Sequence, residues 1–288
     1  MPDVRVTIGM PLYNNESTVA RALKSLLSQT HEDLKILASD DGSRDATYEI
    51  VAGLAQHDPR IQLVRQPRNL NYGNFRYVVH AAKTPFFMFA AGDDHWHPTF
   101  IARSLALLDA HPEACCVAPR VEFEDAGGVL PPGTGTYPLT GSVAQNIAAY
   151  VRRPQDNSRM YGLFRTAIAQ RAFPATDHFA FDWTFSAATL RDGQHLEIPE
   201  VLLTRDYTPS SRYVDYVERD NPGRFSRLFP LLPMTMSLLF EMRVPRSPAV
   251  LRSLLFANLE YHLIRARTRY PRYAHVAAPL LERWMYRR

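Results

Sequence analysis

Val4, Val6, Ile8 and Met10 alternate with intervening residues at the period of a half-buried strand. Val19, Ala22, Leu23, Leu26 and Leu27 then recur at helical spacing. The same exchange of periods continues along the chain. Residues 34–38 read as a strand and 46–55 as a helix, with Asp45 placed to cap its start. A short strand over 61–64, a helix over 74–82 and a strand over 86–91 follow. Pro98 opens a helix whose Ile101, Leu105 and Leu108 share a face, and 115–123 is another strand. Strands separated by about 10 to 15 helical residues predict βαβ units, hence an α/β fold with a largely parallel sheet. A turn-rich stretch over 127–141 interrupts the pattern with a surface loop. Helices over 143–151 and around 179–190 follow, and the last 70 residues read as helical and arginine-rich.

Composition narrows the class without naming a function. The chain has 288 residues, 46% of them hydrophobic and 22% charged, as expected of a globular protein. Its two cysteines, Cys115 and Cys116, are neighbours in an apolar run, so neither a disulfide framework nor a zinc knuckle is expected. The longest apolar candidate for a membrane span, 229–240, is short and holds two prolines. The first residues enter a strand at once, without a secretory leader pattern. The expectation is a cytoplasmic chain, with peripheral contact at the inner face of the membrane open.

Charge is uneven. From 219 to 288 there are 13 Arg, no Lys and four acids, while the first 218 residues are net acidic. A basic tail of this kind suits an anionic membrane, a dimer interface or simply solvated helix faces. Nucleic acid is not expected, because Phe256, Tyr261, Tyr270, Tyr273 and Trp284 fall at packing positions of the helical pattern.

The most informative stretch is the apolar run 85–92 ending in Asp93 and Asp94. Paired acids at the C-terminal end of a strand sit where open α/β sheets bind ligands. Hard carboxylates suit Mg2+ or Mn2+ shared with a substrate phosphate, whereas an Asp-Asp turn capping the next helix is the bland alternative. His95 and His97 lack the further ligands a zinc site needs. Asp40 and Asp41 precede Gly42 at the tip of the second strand; one of the pair is expected to hold the turn and the other to bind.

Four blocks in order resemble the family-2 glycosyltransferases of GT-A fold. They are the strand 6–10 running into Pro11-Leu-Tyr13-Asn14-Asn-Glu16, then Asp40-Asp41-Gly42-Ser43-Arg44-Asp45-Ala46-Thr47, then Asn69 with Gly73, and the Asp93-Asp94 pair. The resemblance implies a GT-A-type, Rossmann-like, mostly parallel sheet flanked by helices, with a helical C-terminal extension. Residues 1–218 would form the transferase domain, 1–125 its nucleotide-sugar half and 126–218 its acceptor half, with 219–288 as the extension. It also implies a UDP- or dTDP-sugar donor and an inverting, Mn2+- or Mg2+-dependent transfer. The acceptor would be a hydroxyl on a surface polysaccharide, a lipid-linked glycan or a small metabolite.

Carried over by position, Asp41 would read the base, Pro11 and Tyr13 would flank the nucleoside, and Asn14 and Glu16 would lie in the donor site. Asp93 falls to the ribose and Asp94 to the metal, although Ala91 stands where longer forms of the motif carry another acid. Arg76 and Arg212 would meet the diphosphate, Arg212 from the loop that begins at Tyr207. Asp182, between Phe181 and Trp183, is the expected general base, with Asp177 its rival; the segment 161–165 would shape the acceptor pocket.

Other enzyme classes fit worse. No glycine-rich turn follows the first strand, which argues against a sugar-1-phosphate nucleotidyltransferase or a Rossmann dehydrogenase, and no Walker motif is present. A catalytically degenerate GT-A domain that only binds nucleotide sugars remains the non-enzyme alternative.

Overall fold

The computed structural model describes residues 4–207 and 228–285. Its strands are β1 (Val6–Leu12), β2 (Leu34–Asp40), β3 (Ile61–Arg65), β4 (Phe86–Phe89), β5 (His95–Trp96), β6 (Ala114–Asp125), β7 (Gly128–Val129), β8 (Leu163–Arg165) and β9 (Gln194–Asp206). They form one sheet in the order β3-β2-β1-β4-β8-β6-β9-β5, with β7 hairpinned onto β6. β3, β2, β1 and β4 run parallel, as do β6 and β9, while β8 and β5 are antiparallel to their neighbours. This is the mostly parallel, helix-flanked sheet that the sequence resemblance implies.

The first strand departs from a half-buried pattern. All of Val6 to Met10 is buried, because helices cover both faces, as parallel sheets require. Thr7 is tolerated there because its hydroxyl shares a 2.7 Å hydrogen bond with that of Thr84.

The helices of the first half are α1 (Val19–Leu27), α2 (Thr47–Ala55), α3 (Tyr72–Ala81) and α4 (Phe100–Ala110). Two boundaries differ from the sequence pattern. Asp45 lies one residue outside the cap position of α2, yet its carboxylate still accepts the Thr47 N–H at 3.0 Å. Pro98 precedes α4 rather than opening it, because β5 first pairs with β9 and the His97 N–H is bonded to Leu202.

After β7 come α5 (Val143–Arg152), a 3-10 turn (Ser158–Tyr161), α6 (Thr166–Ala172) and α7 (Phe181–Thr189). Then follow α8 (Leu232–Met236), α9 (Pro248–Arg269) and α10 (Pro271–Met285). The C-terminal helices are not laid on afterwards. Leu231, Met234, Leu238, Val250 and Leu254 share one core with Phe179, Phe181 and Phe185. At its centre Phe89 packs edge-on to Phe87 and Phe185, with ring centroids 4.7 and 5.5 Å away. Burying each such ring contributes about 1.5–3 kcal/mol, so the acid pair that follows Phe89 hangs from a well-anchored strand.

Candidate active site

The parallel strands bring their C-terminal ends to one sheet edge, with Leu12 beside Asp40 in register. Here the two neighbouring acids divide their work. Asp40 accepts the Ser43 N–H at 3.2 Å and so closes the turn, for which Gly42 supplies a φ of +74°. Asp41 is buried and accepts the N–H groups of Leu70 and Asn71 at 2.7 and 2.9 Å. Burial raises its pKa in spite of those two bonds, with the charge of Asp40 adding to the rise. Asp41 lines a cavity of about 170 Å3 together with Pro11, Tyr13, Asn71, Tyr72 and Phe75. Tyr13 stands 41% exposed at its rim, an apolar ring free to cover a flat ligand.

Asn14 and Glu16 brace the loops behind this cavity and do not line it. Asn14, at a φ of 55°, donates its N–H to Ser43 Oγ and accepts the Arg44 N–H on its side-chain oxygen at 2.9 Å. Glu16 accepts the Ala46 N–H at 2.9 Å, and its own N–H is bonded to Asp45. The first βα loop is thereby stapled to the second.

Beyond β4, Gly92 carries the chain so close to Leu12 and Asn15 that a Cβ would meet both at 2.7 Å. Asp94 is 2% exposed. Its Oδ2 accepts from Nε of Arg205 and its Oδ1 from the Asp206 N–H, both at 3.2 Å. Burial outweighs that cation and pushes Asp94 up to about 6. Asp93 is raised too, again chiefly by burial. Arg205, at the end of β9, also donates to Ser158 Oγ at 3.0 Å and lies 4.5 Å from the ring centroid of Tyr161.

Asp182 sits in the first turn of α7 and accepts a 2.8 Å hydrogen bond from Nδ2 of Asn157. The orientation of that amide is fixed. Its oxygen already accepts the hydroxyls of Tyr150 at 2.7 Å and Ser186 at 3.2 Å, so its NH2 must face the carboxylate. Burial raises the pKa of Asp182, opposed by the Asn157 bond and by the charge of Arg205. Arg205 pairs directly with Asp94, and its charge also lowers Asp93 and Asp182. Phe181, next to Asp182, packs against Tyr72 of the first cavity with centroids 4.5 Å apart and the rings tilted by 36°, joining the two regions.

Other sequence candidates lie apart. Arg76 donates to the Pro174 carbonyl at 3.0 Å and pairs with Asp177, which ties α3 to the loop before α7 and occupies the rival acid. Arg212 lies outside the described residues. His95 and His97 contribute to no metal cluster: among the described residues no group of three or more His, Cys, Asp or Glu could hold an ion. Mg2+ and Mn2+ need no such cage when a substrate phosphate supplies oxygens. Two adjacent carboxylates whose pKa values burial has raised are a donor set that a cation would relieve, so the site fits an ion shared with a diphosphate.

Arg205 and Asn157 escaped the sequence reading. The one available signal was a charged residue at the end of the apolar run 201–203, the arrangement that singled out Asp93 and Asp94.

The model of Glycosyl transferase family 2 matches residues 7–172, more than half of the chain. Succinoglycan biosynthesis protein ExoO of Rhizobium meliloti is 32% identical over 111 residues, covering 38% of this chain and 31% of ExoO. The matches span about a third of the length of the curated relatives. Among solved structures, Staphylococcus aureus TarS 1–349 in complex with UDP-GlcNAc is similar with a TM-score of 0.58 at 13% identity, over 89% of this chain and 80% of that one. The mannosyltransferase PcManGT of Pyrobaculum calidifontis, in complex with GDP-Man and Mn2+, gives 0.53 at 16% identity, over 97% and 80%. At these identities the structural likeness shows the fold.

Proposed function

The chain belongs to glycosyl transferase family 2, and from that premise we propose that it moves a sugar from UDP or dTDP to a hydroxyl acceptor with inversion at the anomeric carbon. Glycosyl transfer itself follows from the family. The donor, the stereochemistry and the residue roles are the proposal, and one observation carries them: the Asp41 cavity is joined through Tyr72 and Phe181 to Asp182, and the charge of Arg205, paired with Asp94, reaches Asp93 and Asp182 as well.

In this reading the base lies in the cavity beside Tyr13, its N3–H donated to Asp41. Asp93 meets the ribose. Asp94 would hold Mn2+ or Mg2+, which would supply neutralisation of the leaving-group charge. Arg205 adds fixed positive charge beside it. Asp182 accepts the proton of the acceptor hydroxyl as that oxygen forms its bond to the anomeric carbon. The bond from that carbon to the diphosphate breaks, its electron pair leaving with the nucleotide. A carboxylate with a raised pKa is better matched to this task than an ordinary one. Asn157 holds Oδ2 of that carboxylate in place.

The acceptor side is supported by a cavity of about 220 Å3 whose lining includes Trp183, Arg153, Gln155, Glu260 and Tyr261. Aromatic rings beside charged and amide groups suit a saccharide. The polysaccharide named for ExoO supports an acceptor of that class.

A thermal-shift panel of nucleotide sugars with Mn2+ or Mg2+ tests the donor, since a ligand of the native state raises apparent stability by mass action. A UDP- or dTDP-sugar should raise Tm in the presence of metal. Stabilisation by GDP- or ADP-sugars alone would overturn the role of Asp41.

A further inference from the structure

The basic C-terminal helices carry a surface that glycosyl transfer does not use. On α10, Tyr273, Val276, Leu280 and Trp284 follow one another at helical spacing. They stand 49%, 66%, 68% and 54% exposed. The opposite face, with Ala274, Ala278 and Met285, is buried. A row of four large apolar side chains turned outward on one helix marks an interaction surface.

The rings in this row are held in place from beneath. Trp284 packs edge-on against buried Phe256 of α9, with centroids 5.5 Å apart. The Tyr273 hydroxyl is 3.1 Å from Nε2 of His262. Their exposure therefore coexists with fixed packing on α9.

Charge identifies the partner. The exposed residues of α10 include Arg272, Arg283 and His275 and no carboxylate. Glu282, the one acid of the helix, is paired with Arg267 of α9. Among the described residues no carboxylate pairs with Arg272 or Arg283. A second copy meeting this face across a two-fold axis would set arginines near arginines with no acid to offset them. Lipid phosphates would offset them. Tyr and Trp at the edge of an apolar row, with arginines alongside, are the composition of a helix that lies in the headgroup region. No helix among the described residues is long and apolar enough to cross a membrane, so contact would be along the surface.

We propose that the outward face of α10 docks the protein on an anionic lipid bilayer, with Val276, Leu280 and Trp284 in the acyl boundary and Arg272 and Arg283 on the headgroup phosphates. This docking does not depend on the roles given to Asp41, Asp94 or Asp182. If those roles also hold, α9, which lines the acceptor-side cavity with Glu260 and Tyr261, would be held near the bilayer and the acceptor would be a lipid-borne glycan.

The test is co-sedimentation of the full chain with vesicles of phosphatidylcholine alone or with a third phosphatidylglycerol. Binding should be about tenfold or more tighter to the anionic vesicles and should weaken with salt. The double substitution V276E/L280E should abolish it, and R272E/R283E should remove the preference for anionic lipid. Both variants should keep the wild-type Tm and bind UDP as before. Failure of the wild-type chain to sediment, or sedimentation that survives V276E/L280E, overturns the proposal. So does a dimer in light scattering that V276E/L280E converts to monomer, which would give the face to a second copy. Loss of UDP binding in the wild type would instead defeat the donor reading and leave the vesicle result standing.

Discussion

The two halves of the cleft are built differently. At the nucleoside edge the hydrogen bonds run within and between neighbouring βα loops: Asp40 closes its own turn, Asp41 takes two N–H groups from one neighbouring loop, and Asn14 and Glu16 staple adjacent βα loops. At the acid edge the groups come from far apart in the chain. Asp94, Asn157, Asp182 and Arg205 lie on four different segments: Asp94 pairs with Arg205 and Asp182 with Asn157, and the charge of Arg205 reaches both acids. The first edge is a backbone scaffold around two buried acids, of which Asp41 lines the cavity. The second is a charge network, and removing one member disturbs the rest. Mutations should therefore act locally at one edge and collectively at the other.

The largest difference should come from Asp182→Asn. With the base gone, the transfer rate should fall about 10²–10⁴-fold while nucleotide binding is retained, measured as kcat against Kd for UDP. Full activity in this variant would remove the base from the acid edge.

Arg205→Ala should cost both stability and activity. It removes the cation hydrogen-bonded to Asp94, a loss of about 1–3 kcal/mol, limited because the raised pKa lets Asp94 take up a proton. Chemical denaturation reads it, and Arg205→Lys should recover part of the loss. Wild-type stability in the alanine variant would show that the carboxylates do not depend on this cation.

Asp94 also gives the acid edge a pH signature. Its pKa is raised from 3.8 to about 6, so the folded state binds a proton more readily than the unfolded chain. Its contribution is fully present below about 4 and is lost as pH rises through about 6. The change amounts to roughly 2–3 kcal/mol. Asp94→Asn should remove this decline, so wild type minus variant should slope downward between those pH values. A flat difference would mean that Asp94 is solvated.

At the nucleoside edge the effects should be smaller and separable. Asp41→Asn replaces one acceptor with a donor facing the Leu70 and Asn71 N–H groups, costing about 1–3 kcal/mol of stability. It should raise the donor KM about tenfold with kcat little changed. A kcat effect without a KM effect would place Asp41 with the chemistry.

The smallest change sharpens the acid edge. Asn157→Ala removes a bond that lowers the pKa of Asp182. The acidic limb of the pH–rate profile should move to higher pH, with less than about a tenfold loss of kcat at its plateau. An unmoved limb would make Asn157 a packing residue only.

The contrast between the edges also explains what the sequence disclosed. Contiguous blocks sufficed for the nucleoside edge, because Pro11, Tyr13, Asp41 and the turn at Gly42 each announce their geometry locally. The same held for the βαβ alternation, whose helices and strands recur in the fold with shifts of a residue or two at Asp45 and Pro98. The acid edge was legible only in part. Asp94 stood out in the acid pair that ends the apolar run 85–92, and Asp182 as an acid between Phe181 and Trp183. Arg205 did not, since β9 carries Glu197, Pro199 and Glu200 and its polar positions hide the strand period. Asn157 sits in a turn at a φ of 50°, where only tertiary contacts reveal its use. Arg76 shows the converse. Its position near the Asn69 block suggested phosphate, whereas the fold commits it to Asp177 and Pro174.

The most direct measurement is calorimetric titration of UDP and dTDP, with and without Mn2+, into the wild-type chain and the variants Asp94→Ala and Asp182→Asn. If the cleft grips a nucleoside diphosphate through Asp94 while Asp182 serves only the acceptor, binding will require the ion, fall sharply in Asp94→Ala and remain unchanged in Asp182→Asn. Metal-independent binding that is indifferent to Asp94, or no binding of either nucleotide, would contradict it.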